Sequence, residues 1–270
     1  MKIKTAYFDK NIFEQKFNSL KNINFSLFVD CIPESQDELS SINIISFQEP
    51  NEYFGIHDWV IKNKNLFSFI LTWSDKVINN CENALFLPFG LSWFTPDQYV
   101  KDKEKVFEIA HLRGNLLKTY GHSLRHELLD RKNEITMPTK FFDVYGDRNN
   151  IENARKGKEE VFSNPMFGVA IENTQHNGYF TEKIIDCFLQ KTIPVYWGCS
   201  NINEFFNIDG IITFTSVDDL ISKANKLDEK YYTSRLDIIN ENYNTAIQYI
   251  DYPQNICNKV LEIFKFNNLI

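Results

Sequence analysis

The chain has 270 residues, of which 43% are hydrophobic, 15% aromatic and 24% charged, the make-up of a folded protein with ample material for a core. A formal net charge of −7, with no Lys/Arg run longer than two, excludes nucleic-acid binding through a basic face. Cys31, Cys81, Cys187, Cys199 and Cys257 are dispersed, which argues against a disulfide framework or a zinc site, and no apolar run approaches a membrane span of about 20 residues; a cytoplasmic protein is expected.

From the N-terminus, β-rich runs alternate with helical ones, a pattern that builds parallel α/β layers. Strands are predicted at residues 3–8, 25–29, 42–46, 67–72 and 84–87, with helices at 11–20 and 52–62. Pro33, Pro50 and Pro88 punctuate these units. They form one Rossmann-like domain, residues 1–100, ending near the polar, proline-marked Thr95-Pro96-Asp97-Gln98. A second series follows, with strands at 106–110, 141–145, 167–171, 193–197 and 211–214. Its helices are predicted at 122–131, 152–162, 181–190 and 217–249, the last broken near Asp228. Residues 101–250 are thus a second Rossmann-like domain, and residues 251–270 a closing helix predicted over 254–266.

Chemistry concentrates in one string of the second domain. The strand Phe167-Gly168-Val169-Ala170-Ile171 runs into Glu172-Asn173-Thr174, and Gly178-Tyr179-Phe180-Thr181-Glu182-Lys183 opens a helix. Thr192-Ile193-Pro194-Val195-Tyr196-Trp197-Gly198 follows. Strand, turn and helix in that order aim the helix N-terminus at the strand ends, where free N–H groups and the helix dipole favour a diphosphate. Thr181 is a natural N-cap. Lys183 lies in the first turn, where the dipole disfavours a cation, and an anion beside it would explain its presence. Glu182 is placed to accept from ribose hydroxyls, and Tyr179 to pack against sugar or base.

This string closely resembles the donor-binding signature of the family 10 α-1,3/1,4-fucosyltransferases: a strand ending in Glu-Asn-Ser, then Tyr-Val-Thr-Glu-Lys, then Val-Pro-Val and a Gly. Thr174 stands in place of the Ser and Phe180 in place of the Val. The likeness is clear over residues 167–217 and weaker back to about residue 106. It implies a GT-B plan, two Rossmann-like domains facing each other across a cleft. The nucleotide sugar would be held by Arg125, Glu172, Asn173, Tyr179, Thr181, Glu182 and Lys183. Arg125, in the segment from Gly114 into the following helix, matches the family's diphosphate arginine, with Arg113 and Arg131 as competitors. His122 reads as a helix cap or as a ligand contact.

The implied reaction is inverting transfer of L-fucose from GDP-fucose to a hydroxyl of a glycan acceptor, with no cofactor beyond the donor. Its general base would come from the first domain. Glu49, in the acidic loop after the strand at 42–46, is the nearest match; Glu52 is the runner-up, and Asp30 and Glu34 lie at another strand end. No Asp-x-Asp occurs, so Lys183, Arg125 and the helix N-terminus would neutralise the leaving diphosphate in place of a metal ion. Two alternatives stay open: a GT-B transferase for another nucleotide sugar, and a catalytically silent relative that binds a nucleotide or glycan.

Overall fold

The computed structural model describes residues 1–99, 104–142 and 151–270, with the side chains of residues 151–154 outside that description. In chain order its elements begin β1 (Lys2–Thr5), α1 (Lys10–Lys16), β2 (Phe25–Val29), β3 (Ile42–Ser46), α2 (Asn51–Phe54) and α3 (Ile56–Lys62). There follow β4 (Phe69–Thr72), α4 (Asp75–Ile78), β5 (Ala84–Phe86), β6 (Val106–Leu112), α5 (Tyr120–Asp130) and β7 (Thr139–Phe142). Next come α6 (Ile151–Phe162), β8 (Pro165–Ile171), α7 (Glu182–Leu189), β9 (Ile193–Trp197) and β10 (Ile212–Thr213). The chain closes with α8 (Val217–Ala224), α9 (Glu229–Thr233), α10 (Leu236–Ala246) and α11 (Tyr252–Phe266).

The chain divides into two compact units: residues 1–89 with 177–179 and 251–270, and residues 90–176 with 180–250. In the first, five parallel strands pair in the order β1-β2-β3-β4-β5. β2 is buried along its whole length, as expected of an apolar run in a parallel sheet covered on both faces. Phe28, Ile45, Phe47 and Ile70 pack with Val60 of α3 and Val77 of α4. On the opposite face Phe25 meets Phe17 and Phe264 edge-on, at 5.5 and 5.3 Å between ring centroids. There the Ser46 hydroxyl also hydrogen-bonds the Tyr252 hydroxyl at 2.7 Å.

The last helix is therefore part of the first unit rather than a separate closing element. The division also falls after Phe89, earlier than the polar stretch at 95–105 suggests. Residues 92–98 are tied into the second unit: the Ser92 hydroxyl donates to Asp186 Oδ1 at 2.9 Å, and the Gln190 side-chain amide to the Gln98 carbonyl at 2.8 Å.

The second unit is another five-stranded parallel sheet, in the order β10-β9-β8-β6-β7. After β7 the chain returns past β6 to lay β8 on its other side, so the strand order reverses between β6 and β8. In open α/β sheets the carboxyl ends of the strands at such a switch point are where ligands bind. One face packs Val169, Ile171, Val195 and Trp197 against Leu124 of α5 and Leu220 of α8. The other packs Ala170 and Tyr196 against Ile184, Ile185 and Phe188 of α7.

Two predicted helices are interrupted. The one at 52–62 breaks at Gly55, whose φ is +65°. The one at 217–249 breaks at Asp228 as expected, where the carboxylate accepts from the Tyr231 N–H at 2.7 Å and caps α9, and breaks again between α9 and α10. The strand predicted at 141–145 is seen as Thr139–Phe142; its last three predicted residues lie outside the described residues. Among the described residues no helix is long and apolar enough to cross a membrane.

Candidate functional site

In the second unit, the N-terminus of α5 is pressed onto the carboxyl end of β8. The Gly121 N–H donates to the Asn173 carbonyl at 3.2 Å. A Cβ at Gly121 would lie 1.9 Å from the Glu172 carbonyl oxygen, so only glycine permits this approach. One turn on, Arg125 is 8% exposed; its Nε donates to the Ile171 carbonyl at 3.0 Å and a terminal amine to Asn173 Oδ1 at 2.8 Å. The planar fork thus clamps the strand end at the switch point. Behind it His111 on β6 contacts the Arg125 carbonyl at 3.2 Å and stays neutral, because burial, helped by the Arg125 and Arg113 charges, pushes its pKa down to about 3.

The competing arginines are placed elsewhere. Arg131 is engaged by Glu127, Glu134 and Asp218 at 3.1, 2.7 and 2.7 Å, a surface ion network. Arg113, just past β6, contacts His126 Nδ1 at 3.0 Å. His122 serves as a cap: its Nδ1 lies 2.6 Å from the Thr119 hydroxyl and 3.2 Å from the Thr119 N–H.

At the start of α7, Thr181 is the N-cap, with its hydroxyl oxygen accepting from the Lys183 N–H at 3.4 Å. Glu172 was expected to contact the donor; it is instead 0% exposed and faces inward. Its Oε1 accepts from the Thr181 N–H at 2.8 Å and its Oε2 from the Thr181 hydroxyl at 2.6 Å. The role this geometry gives Glu172 is to brace the turn that delivers α7. Burial pushes its carboxyl up, and the Lys183 charge opposes that shift. Gly198 makes room for it, since a Cβ there would come within 2.3 Å of Glu172 Cγ and 2.5 Å of the Tyr196 hydroxyl.

Lys183 lies among acceptors, its side chain 20% exposed. Nζ is 3.0 Å from the Thr181 hydroxyl, 3.1 Å from Glu182 Oε1 and 3.5 Å from Glu172 Oε2. Burial alone would raise the Glu182 carboxyl, but the charges of Lys183 and Lys158 and hydrogen bonds from Lys183 and Thr181 outweigh it and hold it at about 2. The anion expected beside Lys183 is therefore supplied in part by the chain itself.

Tyr179 is 1% exposed, and its ring packs on Trp73 within the first unit at 4.7 Å, so the face assigned to sugar or base is covered by protein. Sequence reasoning missed the pair beneath Glu182. Lys158 of α6 donates to Asp186 Oδ2 at 2.7 Å, while the Ser92 hydroxyl and Trp93 N–H hold the other oxygen. Only Asp186 at one helical turn from Glu182, on a face otherwise apolar, signals it.

In the first unit Glu49 follows β3 in a loop pinned from several sides. The Trp73 indole N–H donates to the Gln48 carbonyl at 2.8 Å, and His57 Nε2 contacts the Glu49 carbonyl at 3.0 Å. Asp30, at the end of β2, accepts from the Gln48 N–H at 2.6 Å. Glu34 extends to Lys4 at 3.0 Å on an exposed surface, and Glu52 is in the first turn of α2, also exposed. Neither His57 nor Trp73 stood out in the sequence; a buried histidine beside a tryptophan has no local signature. Among the described residues no group of three or more His, Cys, Asp or Glu converges as a metal site.

Two units, each built on a five-stranded parallel sheet flanked by helices, are the make-up of a GT-B glycosyltransferase fold. A crystal structure of an α1,3-fucosyltransferase with GDP-fucose superimposes with a TM-score of 0.59, at 20% identity, over 98% of this chain and 89% of that one. A lipopolysaccharide outer core galactosyltransferase in its apo form gives 0.55, at 10% identity, over 94% and 79%. Residues 122–257, half of the chain, match the family model for the C-terminal region of glycosyltransferase family 10 (fucosyltransferase), and the chain belongs to that family. The Helicobacter pylori α-(1,3)-fucosyltransferase FucT is 33% identical over 147 residues, which are 53% of this chain but only 30% of that protein.

Proposed function

We propose that this chain transfers L-fucose from GDP-fucose to a hydroxyl of a glycan acceptor, with inversion at the sugar carbon. The observation that carries the reading is the gathering of Arg125, Asn173, Glu182 and Lys183 around the carboxyl end of β8 in a family 10 chain. Lys183 and Arg125 supply positive charge to the diphosphate, and Glu182, ionised at any working pH, accepts from the ribose hydroxyls. Glu49 takes the proton of the acceptor hydroxyl as its oxygen attacks C1. The C1–O bond to the diphosphate breaks, and GDP leaves with the electron pair.

Incubation of the protein with a panel of nucleotide sugars and acceptor glycans, with products read by mass spectrometry, tests the donor. Fucosylated product from GDP-fucose is expected; transfer from another nucleotide sugar alone would replace the donor assignment, and no transfer from any would favour a silent binding protein. Glu49→Gln tests the base. It keeps size and most hydrogen bonding, so turnover should fall by about 10²–10⁴-fold while GDP affinity stays near wild type. Near-normal turnover in Glu49→Gln would remove Glu49 from the role.

A further inference from the structure

Asp30, just past β2, has a φ of +53°, a left-handed conformation that aspartate tolerates better than most non-glycine residues. Its N–H still donates to the Ser46 carbonyl at 2.9 Å, which keeps it in line with β3. The turn aims its carboxylate at the segment after β3. Oδ1 accepts from the Gln48 N–H at 2.6 Å, Oδ2 from the Gln48 side-chain amide at 2.5 Å, and the Glu49 backbone N–H also donates to the carboxylate. With Trp73 on the Gln48 carbonyl and His57 on the Glu49 carbonyl, the backbone on either side of Glu49 is fastened to buried groups.

We infer that Asp30 is the positioning residue and charge partner of Glu49: its carboxylate fixes the loop that carries the base and sets a second negative charge beside it. The inference rests on the reading of Glu49 as the base. The titratable groups facing Asp30 are Glu49 after β3, Tyr7 before α1, Tyr252 of α11 and the adjacent Cys31, which in turn faces Lys4. Burial pushes the Asp30 carboxyl up to about 7; hydrogen bonds from Gln48 and Glu49 oppose this, and the Glu49 charge adds to it. Below that pH a neutral Asp30 sits beside an ionised Glu49. Above it both are charged, and like-charge repulsion makes Glu49 the stronger base.

Asp30→Asn keeps the shape and the acceptor for the Gln48 N–H while removing the charge. The wild-type kcat/KM profile should rise through a step near pH 7. In Asp30→Asn that step should vanish, leaving activity about tenfold below wild type at pH 8 with GDP affinity unchanged. A purely structural role would lower the rate equally at every pH and leave the step in place. Carbon-13 NMR of the Asp30 carboxyl reads the same coupling without turnover: its midpoint should lie near 7 and move down in Glu49→Gln. A retained step in Asp30→Asn, or a midpoint indifferent to Glu49→Gln, overturns the inference while a turnover collapse in Glu49→Gln keeps the base reading intact. Near-normal turnover in Glu49→Gln overturns the base reading and this inference with it.

Discussion

Lys183 stands in the first turn of α7, opposed by the helix dipole and compensated by Glu172 and Glu182. A diphosphate arriving there joins an existing charge network, so Lys183→Ala should weaken GDP binding by about 10–100-fold, the worth of one charge-assisted hydrogen bond. Calorimetry on a mutant with native circular dichroism checks this, and unchanged affinity would remove Lys183 from the donor site. The same substitution has a pH signature. Glu182 is held at about 2, well below the ordinary glutamate value of about 4.3, so the stability it contributes is complete above that ordinary value and lost as pH falls toward 2. Without Lys183 the folded-state value rises toward the ordinary one, so Glu182 contributes less stability and the fall in stability below about pH 4.3 should be shallower. Thr181 was legible as a cap because its signature is local. Glu172 was not legible as a buried brace: the residue after a strand can turn outward to ligand or inward beneath the next helix. Its inward turn is imposed by Thr181, nine positions later, and by the space Gly198 leaves.

The meeting of α5 with the end of β8 is set by a single missing side chain. Gly121→Ala puts a Cβ 1.9 Å from a backbone carbonyl, so α5 must withdraw and Arg125 must lose its grip on Ile171 and Asn173. Overpacking of this kind costs about 1–3 kcal/mol, which should appear as a lowered Tm together with lost GDP affinity. A mutant with wild-type Tm and affinity would show the contact to be slack. The strands β2, β3 and β9 were readable to the residue, since each is a short, largely apolar run rich in β-branched and aromatic residues. α4 was not, because four residues carry too little periodicity to be distinguished from a turn. Arg125 could be singled out from the segment that contains it. Its partners Ile171 and Asn173 are 46 and 48 residues away, and that pairing is decided only by how β6 and β8 lie side by side.

Both units announce themselves in the alternation of strands and helices, yet the chain's division between them was hidden. A polar, proline-marked segment looks like a linker whether it hangs free or, like residues 92–98, is bound by Asp186 and Gln190. In the proposed reaction, the charge on the departing diphosphate is met by Lys183 and Arg125. Product formation should then continue in excess EDTA, and abolition that one divalent ion restores would expose a metal site. The return of α11 to the first sheet has a consequence in time. Phe25 and Ser46 are synthesised well before Phe264 and Tyr252, which pack on them. On a ribosome adding about 5–20 residues per second, the part of the first sheet that α11 packs on must wait on the order of ten seconds or more while the second unit's sequence emerges. The first unit is thus begun before the second and completed after it, and in that interval this part of its sheet most needs shielding from neighbouring chains.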